Sequence, residues 1–354
     1  MVLACAVAGV VAGCAVPRSA TRPGWMRISA DQQGFVDRRT GAPFVPWGFN
    51  YDRDHQMRLL EDYWEAEWPT VAEDFREMRA LGANVVRIHL QLARFMAAPD
   101  QADSRALAQL RRLLDLAEAA GLHLDLTGLA CYRKADVPAW FEALGETERW
   151  EVQANFWRAI AGACAHSPAV FCYDLINEPF VPTAPRQPGE WLAGELSGFW
   201  YVQALVLDPG GRSPAEIVGQ WVRRQVAAIR ERDPRHLITL GFLPDSDGPF
   251  VQAAAQPLDF VSVHIYPRSG ELPQARATLQ RFRLGKPLVV EETFPLACRA
   301  EELERFVRDA HTDVAGWISF YWGQTAAELA AGSSMGEAIT REWLECFRRM
   351  KPTP

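Results

Sequence analysis

The chain has 354 residues, 49% hydrophobic and 23% charged, with a formal net charge of −7. This is ordinary globular composition, long enough for one large core, which excludes a disordered or fibrous protein. An acidic balance argues against a nucleic-acid partner, because phosphates call for a basic surface.

Residues 2–16 are apolar and small, and the run is too short to cross a bilayer as a helix, so it reads as a targeting segment. Val11-Ala12-Gly13-Cys14 resembles the lipobox of bacterial lipoproteins, in which the cysteine is lipidated and becomes the mature N-terminus. It departs from that pattern in having no Lys or Arg before it. A plain secretory signal would equally imply export. The expectation is an export segment and linker over residues 1–24 and a single domain over 25–354. The protein would be exported and membrane-anchored through Cys14 on the periplasmic or cell-surface side, or otherwise secreted. Beyond that segment stand Cys131, Cys164, Cys172, Cys298 and Cys346, an odd number without the spacing of a disulfide framework or a zinc site.

Residues 26–44, with Asp37-Arg38-Arg39-Thr40-Gly41 as the turn, predict a β-hairpin that closes one end of a barrel. Residues 44–50 predict the first core strand. A helix capped by Thr70 runs to Gly82, and 84–90 is the second strand. The periodicity of 103–120 predicts a helix stopped by Gly121, followed by a third strand over 122–127. A helix over 149–165 leads to a fourth strand over 169–176. Residues 179–213 are rich in Pro, Gly and Trp, and a loop of that length in a compact domain is usually functional. Ser213 and Glu216 form a capping box for a helix reaching residue 232. Strands over 236–241, 260–266, 287–292 and 317–322 follow, with helices at 250–255 (weakly marked), 272–282, 301–315 and 339–350. Apolar strands alternating with helices predict an α/β fold, a (β/α)8 TIM barrel.

In such barrels the active site lies at the C-terminal ends of the strands. Here those ends carry Asn50, Arg87, Asn177, Glu178, His264, Tyr266, Glu291, Glu292 and Trp322. Charges are costly to bury unless paired, so their convergence calls for a functional reason. Two strands that each end in glutamate, at Asn177-Glu178-Pro179-Phe180 and at Pro287-Leu288-Val289-Val290-Glu291-Glu292, suggest two carboxyls facing across one site. That pairing is the equipment of glycoside hydrolysis. Strand alternation lets only one of Glu291 and Glu292 face the barrel axis. Thirteen tryptophans would mostly pack the core, with Trp64, Trp68, Trp140, Trp191, Trp200 and Trp322 placed where rings could stack on sugars.

Four motifs in order (Asn177-Glu178-Pro179, His264-Ile265-Tyr266, residues 287–292 and Trp322) resemble the cellulase-type glycoside hydrolases of family 5 from about residue 26 onward. The resemblance implies a retaining β-glycosidase acting on β-glucan, β-mannan or related glycosides. It implies Glu178 as acid/base and Glu292, five residues after the strand's proline, as nucleophile. Asn177 would bind the sugar 2-hydroxyl, Arg87 and Tyr266 would tune the nucleophile, and His264 would support the acid/base. Asn50 is expected to support the site, and Trp322 would floor the subsite of the attacked sugar. No cofactor or metal is implied, and the partner is an oligo- or polysaccharide. Two positions depart from the family pattern. Leu126-Thr127-Gly128-Leu129 has no histidine at the end of the third strand, and Thr293-Phe294 replaces the aromatic-Gly that commonly follows the nucleophile. Of the other histidines, His123 at the start of the third strand is read as structural, and His55, His89, His166, His236 and His311 as structural or surface residues.

Two rival classes make different demands on the sequence. A non-catalytic carbohydrate-binding lipoprotein on a barrel scaffold predicts loss of one glutamate, yet both are present. A metal-dependent barrel hydrolase predicts a His/Asp cluster at the strand ends, where His264 is the lone histidine.

Overall fold

The computed structural model describes residues 22–320 and 322–352. The lipobox-like segment lies outside them. Among the described residues no helix is long and apolar enough to cross a membrane.

Eight parallel strands close into a barrel: β1 (Trp47–Asn50), β2 (Val85–Gln91), β3 (His123–Ala130), β4 (Val170–Asn177), β5 (Leu237–Phe242), β6 (Val261–His264), β7 (Leu288–Thr293) and β8 (Gly316–Ser319). β8 pairs with β1 through Trp317↔Trp47 and Ile318↔Gly48, which closes the ring. The principal outer helices are α1 (Trp68–Ala80), α2 (Ser104–Ala120), α3 (Glu146–Cys164), α4 (Pro214–Arg230), α5 (Gly248–Ala255), α6 (Leu272–Arg281), α7 (Ala300–Asp309) and α8 (Met335–Met350). The fold is the (β/α)8 barrel that the alternation predicts.

Helix boundaries follow local chemistry. α2 is capped by the Asp103 side chain accepting from Ala106 N, and it ends at Gly121 with φ 72°, a left-handed stop that suits glycine. α4 has the Ser213/Glu216 capping box. α1 begins two residues before the expected Thr70 cap, because Pro69 favours the first helical turn. α8 starts earlier than residue 339, at a Ser334/Glu337 capping box. β8 is shorter than expected and leaves Phe320 and Trp322 beyond the strand.

The expected N-terminal hairpin is present, Phe35–Asp37 pairing antiparallel with Pro43–Phe44 across the turn, and Met26–Ile28 extends it to a three-stranded sheet. Phe35 enters the bottom of the barrel edge-on to Phe171 and Phe260, each 5.1 Å between ring centres. This apolar plug seals the end away from the site. The long segment after β4 has a sheet of its own, in which Phe199–Ala204 lies between Pro179–Phe180 and Leu192–Leu196. Its hairpin turns at Ser197-Gly198, both with positive φ (55° and 86°), as a tight two-residue turn demands.

Strand pairing shifts register near the C-terminal ends at β2/β3, β4/β5, β6/β7 and β7/β8. Such irregularities re-aim side chains, and they cluster where the polar residues gather.

Candidate active site

Arg87, near the middle of β2, organises the mouth of the barrel. Its Nη1 donates to Glu292 Oε1 at 2.6 Å and to Asn50 Oδ1 at 2.9 Å. Its Nη2 donates to Asp174 Oδ2 at 2.7 Å and to Asn177 Oδ1 at 2.9 Å. The guanidinium is fully buried. Burial opposes its charge, but the carboxylates around it, Asp174 first, raise its pKa well above the usual value. A planar fork can serve four acceptors at once, which an ammonium cannot do. Asp174 is itself held by Thr127 Oγ1 at 2.8 Å and Gly241 N at 2.9 Å.

Glu292 accepts a second hydrogen bond at Oε2, from Tyr266 Oη at 2.7 Å. Burial alone would raise its pKa. The charges of His264 and Arg87, with the hydrogen bonds from Tyr266 and Arg87, outweigh it and hold the carboxyl below its ordinary value. Tyr266 is pushed the other way, by burial and then by the Glu292 charge, so it keeps the proton it donates.

Glu178 sits one residue beyond β4 with φ 46°, a left-handed conformation that costs a non-glycine residue about 1–2 kcal/mol. Its backbone N–H is tied to Gly241 O at 3.0 Å. His264 Nδ1 donates to Glu178 Oε1 at 2.8 Å and stands 3.5 Å from Glu292 Oε2. One oxygen of Glu178 and one of Glu292 lie within 4.8 Å of each other. Gly241 permits this packing: a Cβ there would stand 2.8 Å from His264 Nε2 and 3.3 Å from Arg87 Nη2.

Asn50 supports the site from beneath. Its Oδ1 accepts from Arg87 and His89, and its Nδ2 donates to Glu291 O at 2.8 Å and Ser319 O at 3.2 Å. Its amide is fully used, so it stitches β1, β2, β7 and β8 together instead of meeting substrate. Asn177 Nδ2 donates to Tyr201 O at 3.0 Å, which leaves one amide hydrogen for a sugar oxygen.

Two expectations change. Strand alternation does not send Glu291 to the opposite face. Its carboxyl is buried inside the barrel, with ligating atoms of Asp125 on β3 and Cys172 on β4 within 4.8 Å. The register shifts around Val290 and Thr293 break the alternation, so both glutamates point inward at different depths. Burial pushes Asp125 up to about 7 and Glu291 well above its usual value, and the Asp125 charge raises Glu291 further. Two facing buried carboxyls cannot both be charged, and this pair retains a proton.

Trp322 does not present an open ring. It is 1% exposed, and its ring lies 5.6 Å from that of Phe49. Trp64 and Trp191 are likewise buried, and the Arg149 guanidinium lies 4.0 Å over the Trp191 ring. Trp68 opens α1 beneath Arg112, Trp140 lies in the short helix Ala139–Glu142, and Trp200 is half-buried on the sheet after β4.

Sequence reasoning missed Asp174, His89 and Tyr132. His89 is buried, and burial followed by the Arg87 charge depresses its pKa well below normal, so the ring is neutral. It donates from Nε2 to Asn50 Oδ1 at 3.0 Å and accepts from Tyr132 Oη at Nδ1. The available signal was its position two residues after Arg87 on the same strand face. His123 is structural, bonded to Gly24 O at 2.9 Å and packed against Phe44.

Glu178, His264 and Glu292 could offer three ligand atoms to a metal ion, and so could Asp125, Cys172 and Glu291. In the first set Glu292 already accepts from Arg87 and Tyr266, and a guanidinium at 2.6 Å opposes a second cation there.

The sequence model of the Cellulase family, described as glycosyl hydrolase family 5, matches residues 40–293. The chain belongs to glycosyl hydrolase family 5. As a family 5 member it is an O-glycosyl hydrolase. No curated protein matches the chain significantly. Similar solved structures include an exo-β-1,4-mannosidase from Opitutaceae bacterium strain TAV5, at 20% identity and TM-score 0.66. That alignment covers 91% of this chain but only 61% of the mannosidase chain. A β-1,4-mannanase from the sea hare Aplysia kurodai aligns at 16% identity and TM-score 0.62 over 92% of this chain and 97% of its own. A GH5_18 protein from Streptomyces cattleya in complex with Manβ1-4GlcNAc aligns at 19% identity and TM-score 0.63, covering 87% and 82%. At these identities the likeness is one of fold.

Proposed function

We propose that this family 5 enzyme hydrolyses β-linked mannosides with retention of configuration, Glu292 acting as nucleophile and Glu178 as acid/base. The observation that carries the mechanism is the pair of carboxyl oxygens within 4.8 Å, bridged by His264, of which Glu292 alone is bonded to Arg87. Retaining enzymes set their carboxyls about 5–5.5 Å apart, and inverting enzymes leave room for a water between them.

Glu292 attacks the anomeric carbon as a carboxylate while Glu178 gives its proton to the leaving oxygen. Glu178, now an anion, accepts the His264 hydrogen bond and takes a proton from the water that attacks the same carbon. That attack releases the sugar and restores Glu292. The leaving hydroxyl carries away the first proton and the water supplies the second, so the enzyme is unchanged. Mannose is favoured because the structural relatives named above are described by mannosidase or mannanase activity or by a bound mannoside.

The test is sugar release from β-mannosides, β-glucans and aryl β-glycosides by the protein and by Glu292→Gln, with the first-formed anomer followed by NMR. Release of the β-anomer, lost in the variant, is expected. The α-anomer formed first would rule out retention. Preferential release from glucosides would move the substrate class. We also propose that the protein is exported and tethered through Cys14, a reading supported by Val11-Ala12-Gly13-Cys14. Labelled palmitate incorporated by the protein but not by Cys14→Ser is the expected result.

A further inference from the structure

The sheet after β4 is not needed for the two carboxyls, yet it is built into the mouth of the barrel. Trp200 N donates to Tyr132 O at 2.8 Å, and Tyr201 O accepts from Asn177 Nδ2 at 3.0 Å. These bonds pin the strand Phe199–Ala204 to the end of β3 and to the residue before Glu178. Its Phe199 and Tyr201 rings then flank the Arg53 guanidinium, at 5.4 and 5.7 Å to the ring centres. Phe320, just beyond β8, flanks the same guanidinium at 5.4 Å, and its ring lies 6.4 Å from that of Tyr266.

The same strand reaches the floor of the site by a second route. The Tyr201 ring meets that of Tyr132 at 4.9 Å, and Tyr132 is bonded to His89 and through it to Asn50. The segments that follow β1, β3, β4 and β8 are thereby joined into one continuous wall. Arg53 also pairs with Asp52 at 2.8 Å, where the Asp52 side chain is fully buried and that of Arg53 is 11% exposed. Burial, together with the Glu292 charge and against that of Arg53, raises the Asp52 pKa, so the pair stands within electrostatic reach of the nucleophile.

We infer that this wall closes the glycone side of the site, so that the enzyme takes one terminal sugar at a time from the non-reducing end of a β-linked chain. The inference rests on the double displacement proposed above, which sets the direction of the substrate. Glu178 must reach the leaving oxygen, so the aglycone runs outward over β5 and β6 beside His264. The ring attacked by Glu292 extends the opposite way, over β8, β1 and β2, where Arg53, Phe320 and Tyr201 stand. Cleavage inside a chain needs a groove there for the next sugar. Phe199, Tyr132 and Asp52 are buried instead. A guanidinium held among aromatic faces and a carboxylate resists being swung aside.

Two measurements separate this inference from the reading beneath it. The first follows β-linked manno-oligosaccharides labelled at the reducing end. Labelled products that shorten by one unit at a time are expected; labelled fragments of intermediate length among the earliest products would overturn the inference while leaving the hydrolase intact. The second compares binding of the same oligosaccharide, free or capped by an O-alkyl group at its non-reducing end, to the Glu178→Gln variant. A closed pocket should bind the free chain at least about ten-fold more tightly than the capped one. Equal binding would overturn the pocket, and this readout decides the point even if no glycoside is hydrolysed.

Discussion

Arg87 and Glu292 stand 2.6 Å apart, nitrogen to oxygen, and neither is open to solvent: the arginine side chain is wholly buried and the glutamate side chain 8% exposed. The same guanidinium holds Asp174, Asn50 and Asn177, so one cation fixes the proposed nucleophile Glu292, the residue beside the proposed acid/base Glu178 and the floor beneath both. Arg87→Lys keeps the charge but cannot reach four acceptors. Misplacing reacting groups by about 1 Å costs about 10²-fold in rate. A fall in kcat/KM of that order is expected, with the barrel still folded by circular dichroism. A lysine variant with unchanged kinetics would show that the fork is dispensable.

Tyr266 gives a prediction in pH. In the proposed mechanism Glu292 attacks only as a carboxylate, and its pKa lies below the ordinary 4.5. Activity should therefore hold as pH falls through that value and decline only below it. Tyr266→Phe removes a hydrogen bond that favours the anion, so the carboxyl protonates at higher pH. The acid limb of kcat/KM against pH is expected to move upward in the variant. A limb that stays in place would mean that Tyr266 does not tune the nucleophile.

The barrel and the pairing of Glu178 with Asn177 were legible because an apolar run that ends in polar residues and proline marks a strand opening onto a site. Asp174 was harder to see. It lies inside the same apolar run, and its partner Arg87 is 87 residues away, so nothing local marks the charge as paired. The depth of Glu291 was illegible for another reason: period-two reasoning assumes regular pairing, and β7 shifts register against both neighbours. The wall around Arg53 could be read only as a long aromatic loop. Its sheet depends on contacts with loops that follow other strands, which no sequence window contains.

Gly241 tests the packing between strands. Alanine there would place its Cβ 2.8 Å from the His264 ring, a distance that ordinary contacts do not allow. The ring must shift, and the bond to Glu178 shifts with it. Gly241→Ala is expected to lower kcat more than it raises KM, because acid/base positioning suffers before substrate binding does. A variant changed only in KM would place the damage elsewhere.

The two adjacent glutamates give the sharpest contrast. Glu291 faces Asp125 in a pair that holds a proton, so the neutral amide of Glu291→Gln reproduces the shape and charge of its protonated form. Little change in activity is expected, and a loss of stability within about 1 kcal/mol. Glu292→Gln removes the attacking carboxylate and should cost at least about 10⁴-fold in kcat, leaving Arg87 paired to Asp174 alone. Azide added to a smaller variant, Glu292→Gly, should restore turnover of an activated aryl glycoside and give the α-glycosyl azide, since azide attacks from the vacated side. The same rescue in Glu291→Gly, with none in Glu292→Gly, would transfer the nucleophile to the inner carboxyl.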